Sequence, residues 1–260
     1  VKLFFVALLG LQLFAGDLLS RVRDIVGEQS YNANQKIIHA LFARSGKYYK
    51  KGGIDYAKVC RVLERTALLP KRFPSPTRQR ITFVTDERAL LSMKMVDIAL
   101  KRAGIFNATL DGIERGEFFK EHFSLLSSNA LQPSRLIEAF ESMGVKVVDL
   151  AHDGGWKFYL DMDLAKLPAK RVGLPKRFAP LQAPLWLDVC GLRGVRIRAM
   201  SKWWYPDIYI YDVSLNPLDV ATRPRTQNLT LSLPKGSCYI KIADKFTIQN
   251  IKRGFMIEGF

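Results

Sequence analysis

The sequence predicts an α+β chain in three parts: N-terminal helices, a ferredoxin-like (split βαβ) α+β layer, and a C-terminal all-β domain, sandwich or barrel. Three observations lead there. Apolar residues recur at helical intervals up to about residue 68. Helix, glycine and strand then follow one another twice in the same order. Beyond Pro184 only short alternating runs remain, separated by Gly, Pro and Asn.

Val1 and Lys2 precede the apolar run LFFVALLGLQLFAG, which ends in Ala15 and Gly16. One cation, about a dozen apolar residues and a small-residue end have the layout of a secretory signal, shorter than the ~20 residues a membrane span needs. Residues 1–16 are therefore expected to be a signal peptide, and the chain to be periplasmic or secreted.

Residues 17–69 form the helical region. Leu18, Leu19, Val22, Ile25 and Val26 share one face of a first helix, and Ile37, Ile38, Leu41 and Phe42 share one face of a second. Asp55 to Leu68 makes a third, with Tyr56, Val59, Cys60, Leu63 and Ala67 inward, and Pro70 stops it. The segment 70–80 carries three prolines and four cations, the composition of a stiff connection.

The α+β layer is expected over residues 81–163. Ile81 to Thr85 reads as a buried strand, Thr85 or Asp86 caps a helix running to Ala103, and Gly104 supplies a left-handed exit into a strand at 105–110. The segment AFESMGVKVVDL at 139–150 overlays ALKRAGIFNATL at 99–110, matching Gly144 with Gly104. Between them, GIERGEFFKEHF reads as an amphipathic helix, and Pro133 and Ser134 open the next one. The turn His152-Asp153-Gly154-Gly155 leads into a strand, WKFYLDMD. Residues 164–184, with four prolines and five cations, read as a second linker. The β-rich domain is residues 184–260.

Charge is the strongest functional signal. Lys and Arg number 40 against 24 Asp and Glu, a net +16, so an anionic partner is favoured. Residues 170–260 hold 15 cationic and 6 anionic side chains, which points to the C-terminal part. Three cysteines cannot all pair within one chain. Cys190 and Cys238, both on strand-like segments, are the candidate disulfide in an oxidising compartment, with two reduced core thiols as the alternative, while Cys60 reads as a small buried apolar residue.

No GxSxG, HExxH or GxxxxGK[ST] motif is present. Ser232 and Lys235 have SxxK spacing, but Pro234 lies between them and a strand precedes them. His39, His122 and His152 fall in separate elements, so neither a metal site nor a cofactor site is expected. Asp161 and Asp163, two apart, could share a strand face as an acid and base pair.

The remaining constellation is basic and aromatic. Arg196 and Arg198 take one face of a strand, and Lys202, Trp203, Trp204 and Tyr205 follow, with Tyr209 and Tyr211 beyond. Guanidinium planes and flat rings suit acidic sugars or a partner's carboxylates. The expected function is therefore an exported, non-catalytic binding or scaffold protein of the cell envelope, its partner an envelope protein or an anionic glycan. The alternatives are a glycan-binding protein using Trp203 to Tyr205 and a hydrolase using Asp161 and Asp163. Export disfavours nucleic acid.

Overall fold

A computed structural model describes residues 18–260 except 52, 87 and 179–182. The expected signal segment lies outside the described residues. The fold is mixed α+β, with six helices and several sheets, none closed, among those residues. It divides into two compact units, Val1–Leu167 and Pro168–Phe260.

The first unit begins with helices α1 (Leu18–Val26), α2 (Glu28–Ala33) and α3 (Gln35–Phe42), a two-stranded ribbon β1 (Tyr49–Lys50) and β2 (Gly53–Ile54), and helix α4 (Tyr56–Arg65). Gly27, at φ +83°, separates α1 from α2. The carboxylate of Asp55 caps α4 by accepting from the Lys58 amide. These helices do not stand apart from the layer behind them. Asp149 accepts from the Tyr56 hydroxyl at 2.9 Å and pairs with Arg21 at 3.2 Å, so one buried carboxylate ties both α1 and α4 to the sheet.

That sheet contains β3 (Arg72–Thr85), β4 (Thr109–Arg115), β5 (Phe119–Asn129), β6 (Lys146–His152) and β7 (Trp156–Asp161), in the order β4-β5-β3-β7-β6. Helices α5 (Ala89–Arg102) and α6 (Pro133–Glu141) connect its halves. Strand β3 lies antiparallel to β5 and parallel to β7. Its centre is Phe83, whose ring meets Phe123, Phe140 and Phe158 at centroid distances of 5.8, 5.5 and 5.5 Å. Gly144, at φ +77°, ends α6 where a Cβ would lie 2.2 Å from the Leu164 carbonyl oxygen, so glycine is required there for space as well as for backbone conformation.

Three expectations are corrected. The segment 70–80 is not a linker, because β3 starts at Arg72; its register against β5 skips from Arg72 to Thr77, so Pro74 and Pro76 sit in a bulge where no ladder amide is missed. The strand expected at 105–110 starts at Thr109 instead. Residues 112–123 form no helix; they are the turn and flanks of the β4–β5 hairpin, with Phe119 and Glu121 buried two apart on one face and Phe123 half-buried in line with them. A carboxylate at a core position hides that alternation from the sequence.

The second unit has two sheets. One orders β13 (Pro217–Thr222), β12 (Pro206–Tyr211), β15 (Tyr239–Asp244), β10 (Leu185–Asp188) and β8 (Lys170–Arg171); the other orders β14 (Asn228–Ser232), β11 (Gly194–Ala199), β16 (Phe255–Gly259) and β9 (Lys176–Phe178). Both contribute to one core, with Ile208, Ile240 and Ile242 from the first sheet and Ile197, Phe255 and Ile257 from the second. Strands β8 and β9 correct the second expected linker: the basic, proline-rich stretch pairs with β10 and β16.

Candidate functional site

Alternation along β12 builds the most developed surface of the second unit. Ile208 and Ile210 point into the core, so Asp207, Tyr209 and Tyr211 take the outer face, and the same parity places Tyr205 in line with them. From Tyr205 to Tyr211 is about 20 Å of extended chain. Strand β15 sets what lies beside this line: Lys241 is the register partner of both Trp186 and Tyr209, and Tyr239 of both Asp188 and Tyr211. The Trp186 and Tyr211 rings are 5.4 Å apart and near parallel at 27°, and Tyr209 and Tyr211 are 6.5 Å apart at 20°. The Lys241 ammonium lies 5.3 Å from the Tyr209 ring centre. Burial, with Tyr209 and Asp207 nearby, raises the Tyr211 phenol above its ordinary value, so the hydroxyl stays a donor across the physiological range.

The line continues past Tyr205 into a second cluster. Tyr205 meets Phe246 edge-on at 4.8 Å and Trp203 edge-on at 6.1 Å, and the Arg225 guanidinium lies 4.6 Å from the Trp203 ring centre. Asp244 shapes this bend. Its carboxylate accepts from the amides of Tyr205 (2.8 Å), Phe246 (2.9 Å) and Thr247 (3.0 Å), and from the Asn250 side chain (3.1 Å). Burial alone would raise its pKa, but these bonds outweigh burial and hold it below the usual carboxylate range.

The structure divides the basic and aromatic constellation read from the sequence. Trp204 is fully buried against Phe255, at 4.7 Å, and belongs to the core rather than to any platform. Trp203 and Tyr205 are half-buried and join the aromatic line, and Lys202 is exposed just before them. Arg196 and Arg198 lie on β11, on the outer face of the other sheet, and so look away from the rings across the shared core. Arg196 is already engaged there, paired with Glu258 at 3.3 Å and lying 4.9 Å from the Phe260 ring centre. Cys190 and Cys238 are disulfide-bonded at the end of the β10–β15 pair, where the Val189 amide donates to the Cys238 carbonyl at 2.9 Å; Cys60 is free and buried.

Asp161 and Asp163 do not share a strand face. Strand β7 ends at Asp161, whose carboxylate accepts from the Asp163 amide at 2.9 Å, and Asp163 pairs with Arg88 at 3.0 Å. Asp161 is therefore committed to the local turn, and Asp163 to an ion pair with Arg88. Ser232 ends β14, with Lys235 in the turn beyond. The histidines stay apart: His39 bonds Tyr31, His122 bonds Thr82, and His152 stacks on Trp156 at 4.4 Å. Among the described residues, no three His, Cys, Asp or Glu side chains gather to hold a metal ion, and no helix is long and apolar enough to cross a membrane.

The fold and this surface define a mixed α+β, β-rich chain carrying an aromatic and cationic outer strand face. Comparison with protein-family models, with curated proteins and with solved structures returns no match. Trp186, Lys241, Arg225, Phe246 and Asp244 were not assigned to the site by sequence reasoning. Aromatic density alone could have flagged Trp186; Lys241 and Asp244 become visible only through the pairing of β15, and Arg225 and Phe246, in the loops after β13 and β15, only through the folded ends of those strands.

Proposed function

We propose that this is an exported, non-catalytic binding protein of the cell envelope, and that its C-terminal unit holds a glycan along the outer face of β12. In this reading the two sheets of that unit form a sandwich and the α+β layer is ferredoxin-like. The observation that carries the proposal is the aromatic line itself: Trp186, Tyr211, Tyr209 and Tyr205 run along one face, with Lys241 beside the rings and Arg225 at the far end. Sugar rings are amphipathic. Their C–H faces pack on aromatic rings while their hydroxyls bond to phenols and cations, and a strip of about 20 Å spans several rings of a polymer. Lys241 and Arg225 favour a polymer that carries carboxylates.

Sedimentation with insoluble cell-wall glycan tests this. The full chain should pellet with the polymer. Trp186→Ala and Tyr211→Ala should each weaken binding roughly two- to tenfold, the loss expected if a sugar–ring contact is worth about as much as a ring–ring contact, about 0.5–1.5 kcal/mol, and Arg196→Ala/Arg198→Ala should bind as the parent does. A parent chain that stays in the supernatant, or ring variants that pellet equally, would refute the proposal.

An envelope protein partner is the second reading. It is favoured by the open edge strand β13, whose Leu218 and Val220 are 39% and 48% exposed beside the strip. One stoichiometric crosslinked protein in whole cells would favour it over the glycan.

A further inference from the structure

The first unit contains a cleft of about 720 Å³ between the end of α5, the start of β3, the end of β5 and the start of α6. Lys71, Arg72 and Arg135 line it, with Asn107, Ser127 and Asn129. No carboxylate lines it, and no ion pair of these three cations is formed among the described residues. Their neighbours differ. Glu64 and Glu138 line an adjoining pocket with Lys71 and Arg135 and are engaged by other groups: Arg61 pairs with Glu138, and Glu64 accepts from the amide and the hydroxyl of Ser134. The carboxyl end of α5 also borders the cleft at Gly104, and its dipole opposes an anion with about half a charge. Three full positive charges outweigh that.

The floor has a different character. Leu125 and Ile105 are apolar, and Gly104 presents no side chain. A small inorganic ion would leave that part unfilled, since a volume of this size suits a whole organic ligand. Two guanidinium groups and one ammonium match an oxyanion that takes several charge-assisted bonds at once.

We propose that this cleft binds an organic phosphate monoester, its phosphoryl group held by Lys71, Arg72 and Arg135 and its organic part lying over Leu125 and Ile105. The site is independent of the aromatic strip, which lies in the other unit. The ester could be a soluble metabolite or the head group of a lipid, and the phosphoryl chemistry is common to both.

Glycerol 3-phosphate, measured by isothermal titration against the full chain, probes the soluble source; vesicles of phosphatidylcholine with and without phosphatidic acid, measured by co-flotation, probe the lipid. Binding to either should fall roughly 10- to 100-fold in Arg72→Gln/Arg135→Gln, the range for losing charge-assisted bonds. It should be unchanged in Arg196→Gln/Arg198→Gln. If the Gln pair unfolds, Arg72→Lys/Arg135→Lys keeps the charge and loses the planar fork, and should still weaken binding about tenfold. Binding to the soluble ester assigns the site to a metabolite, and binding only to phosphatidic acid vesicles assigns it to a membrane. No binding to either probe, or binding equal in parent and Arg72/Arg135 variants, would overturn the proposal.

Discussion

Glu121 gives the sharpest test of the first unit. It lies on the inner face of β5, opposite Phe83 in the register, and is 1% exposed. One carboxylate oxygen accepts from the Ser92 hydroxyl at 2.7 Å, and the other has no partner among the described residues. Burial pushes this carboxyl up to about 7, from an ordinary 4.5, and the Ser92 bond only partly opposes it. The folded chain therefore holds this proton more tightly than the unfolded chain does. Its contribution to stability is complete below pH 4.5, is lost progressively as pH rises towards 7, and stays lost above that. At 1.36 kcal/mol for each tenfold change, the loss is about 3 kcal/mol. Glu121→Gln keeps the shape and an acceptor for Ser92 but cannot ionise. Differential scanning calorimetry at pH 5, 6, 7 and 8 should show the parent's first-unit transition falling relative to the variant's by roughly 6–12 °C, at 2–4 °C per kcal/mol for a unit of this size. Two melting profiles that run parallel from pH 5 to 8 would refute the reasoning, because the buried carboxyl would then titrate as an exposed one.

Four other outcomes follow from the packing. Trp204→Ala empties a fully buried site against Phe255 and should cost about 3–5 kcal/mol in urea unfolding, whereas Trp203→Ala, at the half-buried rim, should cost about 1 kcal/mol or less. Replacing Cys190 and Cys238 with Ser opens a loop of 48 residues and should remove about 4 kcal/mol from the second unit, read as a lower melting temperature that reductant reproduces in the parent. Cys60 should react with a thiol reagent only on unfolding, since it is fully buried and burial raises its pKa. Asp149→Ala should destabilise the first unit by about 3 kcal/mol by leaving the Tyr56 hydroxyl and the Arg21 guanidinium without their buried acceptor, measured as a shift in the urea midpoint.

Much of the fold was legible because local signals and burial agreed. Helices α1, α4 and α6 show one apolar stripe each, Gly144 ends α6 where the repeat placed it, and strands β10, β11 and β12 alternate buried with outward residues. Where one residue broke the local pattern, the reading failed. Glu121 occupies a core position of β5, so a buried strand looked like a helix with a polar face. Pro74 and Pro76 announced a linker, and only the skipped register of a bulge lets them sit within a strand. The Asp161 and Asp163 pair failed for a related reason: a spacing of two means one face only while the strand lasts, and β7 ends at the first of them.

The aromatic site was legible in composition and not in geometry, and the reason lies in β15. Trp186 and Tyr211 are far apart in the chain and meet because β10 and β12 both pair with that strand, so its register decides which side chains become neighbours. The register itself is set on the opposite face, where Ile240 and Ile242 must enter the core. Slipping β15 by one residue would expose both isoleucines and turn Lys241 inward, a change the core opposes with roughly 1.5–3 kcal/mol for each side chain. The outer rings are therefore held in place by residues that touch none of them. Neighbouring Arg196 and Trp203 in sequence predicted a single site, yet the chain passes from one sheet to the other between β11 and β12. Proximity along the chain ends at such a crossover, and the cationic and aromatic faces separate there.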